Sequence, residues 1–205
     1  MLYTHYWSRA ADLDRDAFSK AAEDARLILS RGRDMGLAIA GPTGTGKPII
    51  TESTIAFNGS AFCGHRYRDL GKPFASETAR GVEEVDPPYD AKKDDCLSGP
   101  FLETRVCGGI CAAEPFLVDR VYLARDWERP EEPGTYSCSC MTHFKPYDLL
   151  VTATLIRLKE HLGKAIIISS ENPDRGFDDA LRICRELFGW PTRFEIEKPL
   201  AQVLI

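Results

Sequence analysis

The sequence predicts an α/β fold in a single domain that spans residues 1–205 and contains a mixed sheet. In the second half of the chain, short β-branched runs alternate with segments of helical periodicity, a pattern typical of parallel strands joined by helical crossovers. The length of 205 residues suits one well-buried core. A composition of 43% hydrophobic and 28% charged residues is typical of a soluble globular protein.

The first half of the chain predicts one helix, two strands and a long insertion. Apolar residues at three- and four-residue spacing predict a helix over residues 12–31, which ends near Gly32. Residues 36–40, "GLAIA", read as a short buried strand, and residues 53–57 as another, with Asn58-Gly59 as a turn or helix stop. Residues 64–105 show no sustained period and are rich in turn-forming and charged residues. We predict a long irregular insertion there, of the kind that serves as a lid or binding loop.

The second half predicts a C-terminal βαβαβ unit. Residues 115–124 and 134–142 read as strands that pair as neighbours across a turn. A helix over residues 147–162, a strand over 164–170, a helix over 177–188 and a strand over 192–198 follow. Parallel strands would bring the loops after Cys140 and after Ser169 to one edge of the sheet. If "GLAIA" runs in the same direction, the loop of residues 41–47 joins them.

This convergence suggests a site for an anion or a divalent cation. The candidate catalytic residues are Glu171, Asp148, His143 and Glu114. The candidate ligand-binding residues are Gly41, Gly44, Gly46, Lys47, Asn58, Ser169, Ser170, Asp174 and Arg175. Many of these have a structural alternative. Asp148 and Asp174 stand at predicted helix starts, where capping alone explains an acidic residue. Asn58 could be a turn residue, and Glu114 could be a charge at a strand edge. Glu171 has no evident local role, which makes it the first candidate for acid/base chemistry.

The stretch "GPTGTGK", residues 41–47, is close to a phosphate-binding loop of the pattern G-x-x-x-x-G-K-[ST]. Pro48 replaces the hydroxyl residue that would bind magnesium, and a proline also removes one amide from the cradle. A Gly/Pro-rich turn beside a pocket is therefore favoured over a nucleoside triphosphatase.

Composition and charge restrict the binding partners and the cellular location that we expect for this protein. The net charge of −5 does not favour nucleic-acid binding. The apolar runs are too short for a bilayer, and the polar N-terminal residues do not resemble a secretory signal, so we expect a cytoplasmic protein.

Seven cysteines cannot all pair in one chain, so reduced thiols are expected. Cys107, Cys111, Cys138 and Cys140 could form a tetrahedral zinc site, although neither of their spacings is the usual C-x2-C and buried cysteine is a common small hydrophobe.

Four stretches of the sequence carry a resemblance: "GPTGTGKPIITESTIAFNG" from Gly41, "EPF" from Glu114, "CMTHFKPYDLLVTATLIRL" from Cys140 and "SSEN" from Ser169. Together they resemble a family of uncharacterised bacterial and phage proteins. Glu171-Asn172 stands where the family turn reads Asp-Gly. The resemblance implies no named activity, and it weakens the triphosphatase interpretation because the family turn does not require the lysine.

Three hypotheses about function result. The first is an enzyme, a hydrolase or transferase, that acts on a small phosphorylated or nucleotide-like molecule, with Glu171 and Asp148 as acid/base or metal-holding groups. The second is a non-enzymatic interaction module that uses the insertion as its binding surface. The third is a small fold stabilised by zinc.

Overall fold

The computed structural model describes residues 3–65, 105, 107–125, 127–128, 130, 134–171 and 177–189. These residues combine helices with antiparallel sheets, which confirms the α/β class. The strands are β1 (Thr4–Ala10), β2 (Ile39–Ala40), β3 (Ile49–Ile50), β4 (Thr54–Gly59), β5 (Phe116–Asp119), β6 (Thr135–Met141) and β7 (Ile166–Ser170). The helices are α1 (Arg15–Asp34), α2 (Asp148–Leu162) and α3 (Phe177–Phe188).

One sheet has the strand order β6-β1-β7, and both pairings are antiparallel. The prediction that β6 and β7 are parallel neighbours was wrong, because β1 lies between them. Since β6 and β7 are both antiparallel to β1, they still run in the same direction. Their carboxyl ends lie at one edge of the sheet, where His5 is paired with both Cys140 and Ser170. The strand predicted over residues 192–198 lies outside the described residues.

Strand β1 is the central strand of this sheet, and the sequence analysis missed it. The side chains of Tyr3, His5, Trp7 and Arg9 are buried, whereas Tyr6 is exposed. This alternation is the normal signature of a strand with one face on the core. Polar His5 and Arg9 at two of the inward positions obscured the apolar pattern.

The second sheet is built around β4, which pairs with β2, β3 and β5, all antiparallel. Residues predicted as the turn Asn58-Gly59 are instead the last two residues of β4 and pair with β2. The predicted pairing between residues 115–124 and 134–142 was also wrong, because β5 pairs with β4 and β6 pairs with β1. The short strand β2, which belongs to the predicted "GLAIA" strand, therefore lies in a different sheet from β6 and β7.

One hydrophobic core joins the two sheets and the three helices. Helix α2 occupies its middle, with α1, α3 and β7 packed against it, and most of its residues are buried. Helix α1 begins at an N-cap, where the Asp14 carboxylate accepts a 2.8 Å hydrogen bond from the Ala17 amide. The predicted apolar stripe of α1 faces this core. Glycines end α2 and α3 as predicted: Gly163 (φ 54°) caps α2 and Gly189 (φ 64°) follows α3.

Buried Arg9 connects the two sheets. Its guanidinium donates to the carbonyl of Arg120 at 2.8 Å and to that of Asp119, at the end of β5. Burial lowers the pKa of Arg9 from its ordinary value. These backbone acceptors nevertheless satisfy the buried cation, so β1 and β5 are held at a fixed separation.

Among the helices that the structure describes, none combines the length and apolarity needed to cross a membrane.

Candidate metal centre

Four side chains of metal-ligand type meet at the two ends of the predicted insertion. Cys63, His65, Cys107 and Cys111 each offer one ligand atom, and these atoms all lie within 4.8 Å of one another. Cys107 Sγ lies 3.3 Å from Cys111 Sγ and 3.5 Å from Cys63 Sγ. His65 Nδ1 lies 3.4 Å from Cys111 Sγ and 3.6 Å from Cys107 Sγ. Three thiols and one imidazole thus surround a common centre.

These separations suit a tetrahedral zinc ion. Two sulfur ligands at a Zn–S distance of about 2.3 Å stand about 3.8 Å apart in a tetrahedron, only slightly further than the sulfur separations found here. A disulfide would require about 2.05 Å, and the six cysteines within the described residues are all free. Thiolate and imidazole are the ligands that zinc prefers, and four protein ligands leave no position open for a substrate. The arrangement therefore fits a structural zinc site rather than a catalytic one.

Strand β4 positions the ligands that precede the insertion. The Ser60 amide donates to the Ala38 carbonyl and the Ala61 amide to the Gly44 carbonyl, each at 2.8 Å. These bonds fix the chain directly before Cys63. The same segment holds the other side of the site, since the Cys111 amide donates to the Ser60 carbonyl at 3.1 Å. Cys63, His65 and Cys111 are therefore attached to the end of one strand.

Glycines allow the close packing of the site. A Cβ on Gly59 would lie 1.9 Å from the carbonyl oxygen of Cys111, so only glycine permits β4 to approach the ligand so closely. Between Cys107 and Cys111, Gly108 (φ 62°) and Gly109 (φ 82°) adopt the left-handed backbone that turns the two thiols toward each other. Cys107 and Cys111 are 5% and 1% exposed, which protects the ligands on this side from water.

The "GPTGTGK" turn supports this centre and does not lead into a helix. The amides of Gly41 and Gly44 donate within the turn, to Thr45 and to Gly41 respectively, so two amides that a phosphate cradle would offer are engaged. Strand β3 follows, where a phosphate-binding loop would continue as a helix. Gly46 and Lys47 are exposed. Anion binding by this turn therefore gains no support from these contacts.

Asn58 is a structural residue of the same region. Its side-chain amide donates to the carbonyls of Pro42 and Ala113, at 3.2 and 2.9 Å. Its oxygen accepts from the amides of Gly59 and Ala113, at 2.8 and 3.2 Å. The buried side chain therefore donates two hydrogen bonds and accepts two, which is its full hydrogen-bonding capacity. Asn58 thus ties the turn of residues 41–47 to the chain that follows Cys111.

Asp148 lies at the first residue of α2 in a fully buried polar network. Its carboxylate accepts from His5 Nε2 at 2.8 Å and from Thr142 Oγ1 at 2.5 Å. Arg105 Nε donates to the other carboxylate oxygen at 3.1 Å, and Arg105 Nη1 donates to Asp179 at 3.0 Å. Asp148, His5 and Arg105 each have 0% exposure. The network joins the sheet edge, α2, α3 and Arg105, the last residue of the predicted insertion.

The ionised form of Asp148 is favoured inside this network. Burial by itself would raise the pKa of the carboxyl group, but the hydrogen bond and charge of His5 and the charge of Arg105 together hold the pKa below its ordinary value. Both oxygens have partners and neither is open to solvent. The contacts account for Asp148 as a structural ion, and its proposed role in catalysis stays a prediction.

Glu171, which directly follows β7, has a structural role that the sequence did not show: it bonds to β1. Its carboxylate accepts from the Thr4 amide at 3.1 Å and from the Tyr6 hydroxyl at 3.2 Å. The Glu171 amide in turn donates to the Thr4 carbonyl at 3.2 Å. These contacts attach the start of β1 to the end of β7. Glu171 is exposed, so its side chain remains accessible to solvent.

Glu114 and His143 flank the end of β6. Glu114 accepts from the Met141 amide at 2.7 Å through its side chain and from the Tyr147 hydroxyl at 2.6 Å through its carbonyl. His143 is exposed and has a positive φ of 53°. Neither residue belongs to the Asp148 network in the contacts described here, so the structure does not assemble the predicted catalytic set into one group.

The remaining predicted residues lie at the end of β7 or beyond it. Ser170 is buried and its hydroxyl donates to the Thr4 carbonyl at 3.4 Å, and Ser169 is half-buried. Asp174 and Arg175 lie outside the described residues. The serines thus belong to the same strand edge as Glu171, and their part in ligand binding stays a prediction.

The cluster includes two of the four cysteines that the sequence offered as zinc ligands. Cys107 and Cys111 belong to the cluster, but Cys138 and Cys140 lie on β6, a strand of the other sheet. Burial raises the pKa of the Cys138 and Cys140 thiols, which disfavours the thiolate that a metal needs. Cys63 and His65 take their place. The sequence did contain a signal for these ligands, a C-x-H pair followed by a C-x3-C pair. It was missed because many residues separate the two pairs.

Comparison with known proteins adds no family assignment. No protein-family model matches this chain, and neither a curated protein nor a solved structure shows significant similarity to it.

Proposed function

We propose that this chain is a zinc-binding protein, in which Cys63, His65, Cys107 and Cys111 hold one structural Zn²⁺. The observation that supports the proposal most directly is the meeting of four ligand atoms within 4.8 Å. The three thiols are not linked as disulfides, and a reducing compartment such as the cytoplasm would keep them available for the metal. The zinc-stabilised fold, the least favoured of the three sequence hypotheses, thereby becomes the leading one.

The location of the ligands suggests what the metal does. His65 and Cys107 are separated by residues 66–106, so one ion would link the two ends of this segment. Closing a long loop reduces the conformational entropy of the unfolded chain and fixes the exit and entry of the segment on the second sheet. Zinc would therefore stabilise the attachment of the insertion to the α/β core.

Metal analysis tests the proposal. Protein purified with a reducing agent, stripped of metal and then titrated with Zn²⁺ should take up one equivalent per chain and should unfold at a higher temperature than the metal-free form. Replacement of zinc by Co²⁺ should give the absorption of a tetrahedral thiolate complex. An uptake of less than a tenth of an equivalent, or six-coordinate cobalt, would contradict the proposal.

The same geometry favours the interaction hypothesis as a second proposal. A metal that joins the two ends of the insertion would fix where this segment leaves and re-enters the second sheet, which suits a segment that binds a partner. Deletion of residues 75–98 should abolish a stoichiometric complex with a partner, while Glu171→Gln should retain it. If the deletion variant retains the complex, the surface lies elsewhere. The enzyme hypothesis stays a prediction, which thermal-shift screening with nucleotides and divalent cations can address.

A further inference from the structure

Two cationic side chains anchor the chain at Cys107, and just before it, to the other half of the fold. Lys145, in the loop between β6 and α2, donates from Nζ to the carbonyl oxygen of Cys107 at 2.5 Å. Arg105, two residues before Cys107, is fully buried and ion-paired to Asp148 and Asp179. The backbone on the insertion side of Cys107 is therefore anchored to α2 and α3.

The other ligands are anchored differently. Cys111 is bonded through its amide to Ser60, next to β4, and Cys63 and His65 follow the same strand. The site thus combines three ligands attached to β4 with one, Cys107, whose position also depends on contacts near α2. Without those contacts, Cys107 would have to be brought into place by the metal itself.

The charge of Lys145 also suits a position beside the metal centre. A Zn²⁺ ion with three thiolates and a neutral imidazole carries a net charge of −1. The ammonium group of Lys145 lies at the backbone of one thiolate ligand and partly offsets that charge. Groups that orient and polarise metal ligands in this way commonly change metal affinity 10- to 100-fold.

We propose that Lys145 and Arg105 are positioning residues of the metal centre, which hold Cys107 in place before the metal binds. The inference rests on the proposed zinc site. It adds that metal binding and the buried Asp148 network are thermodynamically coupled through residues 105–107, so each strengthens the other by the same factor.

Zinc competition against a chromophoric chelator tests this coupling. Lys145→Met is expected to weaken zinc affinity about 10-fold, and Arg105→Met at least as much. Lys145→Arg, which keeps a cationic donor, should remain within about threefold of the wild type. The matched control is Arg157→Met. Arg157 is also a mostly buried arginine, but it is paired with Asp24, between α1 and α2 and outside the metal cluster. Its loss should lower stability and leave zinc affinity unchanged.

The outcomes separate the two proposals. A wild type that binds no zinc overturns both the metal centre and its positioning residues. A wild type that binds one zinc, with equal affinity in Lys145→Met, overturns the positioning role alone. Equal losses of affinity in Lys145→Met and Arg157→Met would also overturn it, because the effect would then be general destabilisation. If Arg105→Met does not fold, Lys145→Met, whose side chain is only half-buried, still decides the question.

Discussion

Cys111→Ser is expected to abolish stoichiometric zinc binding and to lower the free energy of unfolding by about 4 kcal/mol when free zinc exceeds the dissociation constant about 1,000-fold. For a chain of this length the loss corresponds to a decrease of roughly 10 °C in the unfolding midpoint. Cys111 is the ligand bonded to Ser60, and it lies within 3.4 Å of two other ligand atoms. A serine hydroxyl is a far weaker zinc ligand than a thiolate. Calorimetry together with elemental zinc analysis would measure both effects.

Two controls make this prediction specific. Cys138→Ser replaces a half-buried cysteine outside the cluster, and it should keep one zinc per chain. A strong chelator should destabilise the wild type and Cys138→Ser but cause no further change in Cys111→Ser, because that variant has no metal to lose. If chelation destabilises Cys111→Ser as much as the wild type, the metal is held by other residues.

Asp148→Asn is expected to reduce the free energy of unfolding by about 3–5 kcal/mol at neutral pH, the usual result of removing one partner from a buried ion network. The substitution removes one carboxylate that is paired with buried Arg105, and it weakens the partner of His5. Denaturant unfolding would measure the loss. Glu171→Gln is the control, because an exposed carboxylate should contribute less than about 1 kcal/mol.

The pH dependence provides a separate test of Asp148. Its pKa in the folded state is below the ordinary value of about 3.9, so its ionised form stabilises the protein above that pH. This stabilisation is lost as the pH falls through the folded-state pKa, since the carboxyl group is then protonated in both states. The difference between wild type and Asp148→Asn should therefore be constant near neutrality and shrink below about pH 4. A difference that grows with acidification would show that Asp148 is not held as a carboxylate.

The helices were largely predictable because their apolar stripes and terminal signals agree. The apolar stripe of α1 faces the core, and Gly163 and Gly189 end α2 and α3 at the positions that the sequence predicted. Strand pairing was less predictable, because period-2 alternation identifies a strand without identifying its neighbour. Strand β1 was not predicted because polar His5 and Arg9 interrupt its apolar pattern, and their partners Asp148 and Arg120 lie far along the chain.

The candidate site shows the same limit. Asp148 and Cys107 were singled out as residue types able to do chemistry, but their partners are distant in sequence. Glu171 seemed to lack a structural role because Thr4, its partner, lies at the other end of the chain. The glycines of residues 41–47 fit a phosphate loop by spacing, yet their amides serve a turn that supports the segment leading to Cys63. Local spacing therefore identified reactive residues, and only the fold could show what each contacts.

The central position of β1 affects how this protein folds during synthesis. Residues 4–10 leave the ribosome long before β6 and β7, which supply both of their hydrogen-bonding neighbours. Both edges of the first strand stay open until residue 141 has been made, and one edge stays open until residue 170 has been made. Such long-range pairing gives the sheet a high contact order, so its closure is slow and late, and the nascent chain depends on protection from aggregation during that interval.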